Sequence, residues 1–337
     1  MRHSRFYSLL LFTAPVLLAA CATAPPTASP AGSMGAQPAA AKPNTVTAIK
    51  VNAVSLDVSA DYWQRAPVLT VSTESPLEGK PAGPDVNIQA VYDSQQIAMR
   101  FEWADEDESI SKNAWTWDGE KFTKSGDEDR VQLFWAIENN PEFASKGCAA
   151  ACHNMDPDQE KWWMGTESAD QRYDLWHWKS TRTNLVGQSD DQWVGTLENP
   201  EDVESPRHGD AKESGGYRDN INETKDGPAF IHPSDPTAPY ISIGQEAPID
   251  VSALEPGAIV PGFLLAPAVG SRGDLAANGV WAEGKWTVII MRALDTGHDD
   301  DVIFTPPKPY PFGLSVTDNG GGLDHTNAPE VLTMEWK

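Results

Sequence analysis

Residues 86–103 read VNIQAVYDSQQIAMRFEW, and the alternation within them decides the fold class. Val86, Ile88 and Ala90 alternate with polar residues, a turn follows at Asp93-Ser94, and Ile97, Met99, Phe101 and Trp103 alternate again. A period of two with one apolar face marks a strand, and two such runs joined by a short polar turn make an antiparallel hairpin. Further runs of the same kind occur at residues 131–135 (VQLFW), 286–291 (WTVIIM) and 312–316 (FGLSV). They lie toward both ends of the chain. From about residue 138 to 280 the sequence is rich in Gly, Pro, Asp and Trp with little sustained periodicity, and it reads as long loops and short helices. This distribution predicts a mainly β chain, an antiparallel β-sandwich with a large loop and helix insertion in its middle. Long insertions usually carry function.

The N-terminus sets the chemical compartment. Arg2 and Arg5 precede an apolar stretch from Phe6 to Leu18, and Leu18-Ala19-Ala20-Cys21 ends it with small residues before a cysteine. Residues 1–20 read as a secretory signal too short to span a bilayer stably, and "LAAC" matches the bacterial lipobox, which makes Cys21 a lipidated N-terminus. Residues 21–45 are dominated by Ala, Pro, Ser, Thr and Gly, a composition that tethers and does not pack. The expectation is a periplasmic protein held on a membrane by acyl chains alone. Ala22 after the lipidated cysteine fits the outer membrane. Residues 46–337 form the folded domain.

With 25 Lys+Arg against 49 Asp+Glu the formal charge is −24, which excludes nucleic acid and anionic lipid headgroups as partners. The acidic surface suits basic redox proteins. The clusters Asp105-Glu106-Asp107-Glu108 and Asp299-Asp300-Asp301 read as solvated loops, the second lacking the spaced oxygen ligands and glycine of a Ca2+ loop.

Within the insertion, residues 146–153 read KGCAAACH. Cys148 and Cys152 are the only cysteines besides Cys21, and His153 follows the second directly. Two thiols that add to the vinyl groups of haem, with an imidazole beside them for the iron, are the parts of a covalent c-type haem site. The usual spacing is CxxCH. Here three residues intervene, so on an ideal helix His153 would stand roughly 140° from Cys148. Ala149, Ala150 and Ala151 are small enough to loop out. A short disulfide and a metal site are the other readings of the pair.

Downstream come Trp162-Trp163-Met164, Asp174-Leu175-Trp176-His177-Trp178-Lys179 and Arg182-Thr183-Asn184. Trp176 and Trp178 are candidates to pack on a porphyrin, and Lys179 and Arg182 to pair with its propionates. His177 is the first candidate for the second axial ligand of the iron, with Met164 as the alternative, then Met99 and Met291. His208, His232, His298 and His325 sit among Gly, Pro and Asp and read as loop residues.

Four separated blocks, GDEDRVQLFW, GCAAACH, DLWHWKSTRTNLVGQSDDQW and YPFGLSVTDNGGGLDH, together resemble the ethylbenzene dehydrogenase-related haem-binding domain, found also as the gamma subunit of dimethyl-sulfoxide-reductase-type molybdenum enzymes. The resemblance spans residues 46–337. It implies an immunoglobulin-like β-sandwich akin to family-9 carbohydrate-binding modules, one haem, and electron transfer. Such gamma subunits hold haem b without covalent bonds, through Met and Lys. Cys148, Cys152 and His153 instead resemble a covalent branch carrying haem c.

Three functions follow. The first is a membrane-tethered monohaem cytochrome that passes single electrons between periplasmic partners. The second is the haem subunit of a molybdenum oxidoreductase, and the third a carbohydrate-binding module with exposed Trp residues and a Cys148–Cys152 disulfide. No nucleophile elbow or carboxylate pair stands out, so the chain is expected not to be an enzyme.

Overall fold

A computed structural model describes residues 42–137, 140–147, 164–166, 168–196, 206–235, 237–322 and 324–337. Cys21, Cys148, Cys152 and His153 lie outside them. The hairpin forms as its alternation requires. Val86–Tyr92 pairs antiparallel with Gln96–Ala104, from Val86 opposite Trp103 to Tyr92 opposite Ile97. Asp93 closes the turn, its Oδ1 accepting from the backbone N–H of Gln95 at 2.8 Å and of Gln96 at 2.9 Å.

The hairpin belongs to a sheet of 13 strands. Its main path runs through Arg207–Gly209, Asp190–Val194, Tyr173–Lys179, Glu128–Ala136, Tyr310–Gly320, Leu332–Trp336, Thr45–Lys50, Val86–Tyr92, Gln96–Ala104, Lys285–Ala293 and Ala276–Trp281. The sheet curls over on itself into a sandwich. Near its two ends Ser189 N–H donates to Leu275 O and Ala277 N–H to Gly187 O, each at 3.0 Å. Between the layers, Trp178 meets Trp103 at 6.2 Å and Trp286 at 5.0 Å, edge to face. Thr45–Lys50 departs from the expected antiparallel order, running parallel to both Leu332–Trp336 and Val86–Tyr92. It is joined to neither by a tight turn, so hairpin geometry does not impose its direction.

The core residues are those the alternation selects. Ile88, Met99, Phe101, Leu133, Trp135, Val288, Ile290 and Leu314 are fully buried in one cluster, where Trp135 stacks on Phe312 at 4.8 Å. Gly279 lets the layers close, because a Cβ there would stand 2.3 Å from Cζ2 of Trp178. The far face of the hairpin is covered too. Trp63 and Ala66 pack on Val91, Ala98 and Ile289, and their carbonyls accept from Gln89 Nε2 at 2.6 and 2.8 Å.

The middle of the chain is not the loop region that its composition suggests. It supplies Tyr173–Lys179, Asp190–Val194, Arg207–Gly209 and Ala276–Trp281 to the main sheet, and Ser214–Asp219, Ile241–Ser242 and Phe263–Val269 to a second, three-stranded one. Every residue of Tyr173–Lys179 is buried, so this strand has no wet face to mark it by alternation. The acidic clusters also need correction, since Asp105 and Asp301 are buried. His208 stands in a strand and stacks on Trp193 at 4.3 Å.

A short helix, Pro141–Lys146, leads toward residue 148. Pro141 opens it, the Asn140 side chain accepts from the backbone N–H of Glu142 and Phe143, and Gly147 ends it at φ +62°.

Candidate functional site

Side chains alternate across Tyr173–Lys179 and divide the aromatic segment in two. Trp176 and Trp178 turn into the sandwich core, where Trp176 meets Trp135 at 5.4 Å. They do not share a face with His177: two residues on, a strand returns to the same face, and one residue on it does not. Tyr173, Leu175, His177 and Lys179 share the outer face with Gln132 and Phe134 of Glu128–Ala136, and with Asp190, Gln192 and Val194 of the strand beyond.

This face changes character along its length. At one end Phe134, Phe143, Tyr173, Leu175 and Val194 form a buried apolar cluster, and Met164 packs on it half-buried. The helix before Gly147 contributes Phe143, which tilts against Tyr173 at 4.9 Å, and Asn140 Nδ2 donates to Tyr173 Oη at 2.8 Å. Of the described residues that border 148–163, Gly147 N–H donates to Phe143 O at 2.8 Å and Met164 packs on the cluster.

The other end of the face is cationic. Lys179 donates to Asp190 and, at 3.1 Å, to Tyr217 Oη; Arg272 Nε donates to Asp190 Oδ1 at 2.7 Å. Arg182 Nε donates to Glu128 Oε1 at 2.9 Å and its guanidinium lies 4.9 Å above the Tyr217 ring, while Arg130 reaches Asp127 at 3.1 Å and Glu128 at 3.3 Å. Burial alone would raise Asp190, but Lys179 and Arg272 outweigh it and hold the carboxylate well below its ordinary range.

His177 stands at the boundary of the two ends, 3% exposed. Its Nδ1 lies 3.0 Å from Gln192 Oε1 and its Nε2 lies 3.3 Å from Gln132 Nε2. Gln132 Oε1 accepts from Ser315 Oγ at 2.7 Å, which orients the amide so that its NH2 faces the imidazole. His177 therefore carries its proton on Nδ1 and a lone pair on Nε2. Burial, then the charges of Lys179, Arg207, Arg130 and Arg182, push its pKa well below the usual histidine value and keep the ring neutral.

The sequence pointed to His177, Met164, Lys179 and Arg182, and all four belong to this face or its rim. It gave no role to Gln132, Gln192, Arg130, Glu128, Tyr217 or Arg272. The basic residues offered no local signal, because Arg130, in a strand, and Arg272, in a short 3-10 turn, lie far apart in the chain. Met99 is core.

A second concavity, of about 550 Å3, opens beside Thr181 and Phe263 and is lined chiefly by apolar residues such as Ile110, Ile259 and Leu265. Its walls contain no His, Met or Cys. Among the described tryptophans none is exposed, so they offer no open aromatic platform. No described helix is long and apolar enough to cross a membrane.

A family model described as ethylbenzene dehydrogenase matches residues 60–327. No curated protein matches the sequence. Among solved structures, the chain is similar to a Bacteroides uniformis protein described as carbohydrate-binding, at TM-score 0.40 and 9% identity over 87% of this chain and 99% of that one. It is also similar to a family-9 carbohydrate-binding module of Caldicellulosiruptor kristjanssonii in complex with cellotriose, at TM-score 0.33 and 6% identity over 87% and 93% of the respective chains.

Proposed function

The chain belongs to the ethylbenzene dehydrogenase family, and from that premise we propose that it is a lipid-anchored periplasmic cytochrome with one covalent haem c, passing single electrons between redox proteins. Cys148 and Cys152 would hold the haem as thioethers, and His153 and His177 would supply imidazole nitrogens to its iron. A bound haem supplies one-electron exchange at its iron.

One observation carries this reading. In a chain of formal charge −24, a buried neutral imidazole lies between an apolar patch and a group of cations formed by Arg130, Lys179, Arg182, Arg207 and Arg272. A flat group with an apolar body and two carboxylates at one edge matches that division. Gln192 holds the proton on His177 Nδ1 and so keeps Nε2 free to donate its lone pair, once the Gln132 amide swings aside. Phe134, Leu175 and Tyr173 exclude water from the apolar end, and the basic rim offsets propionate charge.

Haem staining of a denaturing gel tests the reading, with protein made alongside a haem-attachment system. Wild type stains, and the Cys148→Ala/Cys152→Ala variant does not. A wild-type band that takes no stain contradicts it. The anchor is tested apart from the haem: Cys21→Ser protein should fractionate with the soluble periplasm, and membrane retention would remove the lipid reading. Family membership favours a second assignment for the same haem, as the electron-transfer subunit of a molybdenum oxidoreductase. Purification from the native membrane with a molybdenum-containing chain would select it.

A further inference from the structure

On the core side of the same strands lies a concentration of carboxylates that electron transfer does not use. Asp174 of Tyr173–Lys179, Asp191 of Asp190–Val194 and Asp301 bring one oxygen each within 4.8 Å of one another, and all three are buried. Asp301 belongs also to a second triad with Asp210 and Asp300, again within 4.8 Å. Arg292 is the cation in their midst. Its Nη1 donates to Asp174 Oδ2 at 2.7 Å and to Asp301 Oδ1 at 2.9 Å, and its Nη2 donates to Val302 O at 2.6 Å. Asp174 Oδ2 also accepts from Val302 N–H at 3.0 Å, and Asp210 Oδ2 from Ser271 Oγ at 3.4 Å.

These bonds use one oxygen each of Asp174, Asp210 and Asp301 and leave the other bare. Asp174 Oδ1, Asp210 Oδ1, Asp301 Oδ2 and both oxygens of Asp191 are buried with no hydrogen-bond partner. Asp191 is 0% exposed, and its nearest cation is Arg292 Nη1 at 3.9 Å, an ion-pair distance with no hydrogen bond. A buried carboxylate with neither oxygen bonded is costly to keep, and one guanidinium does not balance five acids. Hydrophobic burial alone gives no reason to collect them.

We propose that Asp174, Asp191 and Asp301 hold a structural calcium ion beside Arg292, through the carboxylate oxygens that have no hydrogen-bond partner. The ligands are all hard oxygens, which suits a hard divalent cation. Two oxygens bound to one Ca2+ stand at most about 5 Å apart, whereas around Mg2+ the limit is about 4.2 Å. One oxygen of each acid in a triad lies within 4.8 Å of the others, a separation that a Ca2+ shell spans. The ion ties the loop bearing Asp300 and Asp301 to strands Tyr173–Lys179 and Asp190–Val194, whose opposite face presents His177 and Gln192. It braces the floor of the candidate site without touching it. The acids come from positions 174, 191 and 301, so they form no contiguous Ca2+ loop in the sequence.

The test uses the full chain, stripped with EGTA and returned to metal-free buffer. Calcium titration by calorimetry should find one site per chain, and thermal melting should rise with Ca2+ and much less with Mg2+. Asp191→Asn keeps shape and removes one repelling charge, so it folds. It should weaken Ca2+ binding by at least the roughly 10–100-fold that loss of an outer-shell partner costs a metal site. Asp250→Asn, on an exposed turn, should change nothing. A folded wild-type chain that binds no Ca2+ and melts identically in EGTA overturns the proposal, as does Asp191→Asn binding Ca2+ as tightly as wild type. Either result would mean that the acids are neutralised by shared protons. Haem staining is independent of this outcome.

Discussion

His177 Nδ1 and Gln192 Oε1 face each other at 3.0 Å across two adjacent strands, and that contact decides which imidazole nitrogen can bind a metal. An acceptor behind a ligand imidazole fixes its tautomer and makes it a stronger donor. Gln192→Leu removes the acceptor. In haem-loaded protein the weaker donor should stabilise ferric iron less, so the reduction potential should rise in a spectroelectrochemical titration. An unchanged potential would show that Gln192 does not act through the ligand.

His177→Ala should open a coordination position while haem stays attached through Cys148 and Cys152. The ferric spectrum should turn high-spin and the ferrous protein should bind carbon monoxide, which the wild type should bind poorly under the proposed two-ligand haem. Met164→Leu should leave both properties unchanged. A sulfur-to-iron band in the wild type, lost in Met164→Leu, would transfer the role to the thioether on the apolar patch.

The sandwich depends on the contact between its layers. Trp135, fully buried against Phe312 and Trp176, should cost about 3–5 kcal/mol when changed to Ala. Gly279→Ala forces a methyl group against Trp178, at 2.3 Å in the present geometry, and should cost about 1–3 kcal/mol. Urea denaturation of each variant measures the loss. A Gly279→Ala chain as stable as wild type would mean that the layers have slack.

Asp105 gives stability a pH dependence. Burial, then the charges of Asp129 and Asp318, push its pKa from 3.8 up to about 7. Between those values the folded chain holds a proton that the unfolded chain has released, so rising pH favours unfolding. This contribution should lower the melting temperature from about pH 4 to about pH 7 and leave it level below that window. Asp105→Asn keeps the shape and removes the slope. Melting curves at pH 5 and 8 that shift equally in both proteins would contradict this.

The hairpin at residues 86–103 was legible because one face of each strand packs on the core and the intervening positions are mostly polar. The strands at Glu128–Ala136, Lys285–Ala293 and Tyr310–Gly320 were legible for the same reason. Tyr173–Lys179 was not, because Asp174 and Arg292 pair inside the fold and His177 and Lys179 are buried on the other face. Burial of polar groups on both sides erased the alternation. His177, Lys179 and Arg182 were found through their neighbours in sequence. Gln132 and Gln192 were found only when three strands came together, since an amide on a neighbouring strand leaves no trace in the sequence beside the histidine it orients. The carboxylates around Asp301 were hidden likewise, spread over two strands and two loops.

The central claim is that Cys148 and Cys152 bind haem covalently. A pyridine haemochrome spectrum, taken with the intact mass of the same protein made with haem-attachment machinery, tests it most directly. The account predicts the mass of one haem added to the mature chain and an α-band at the position that two thioethers give. A chain without that added mass, two hydrogens lighter through a Cys148–Cys152 disulfide, would contradict it.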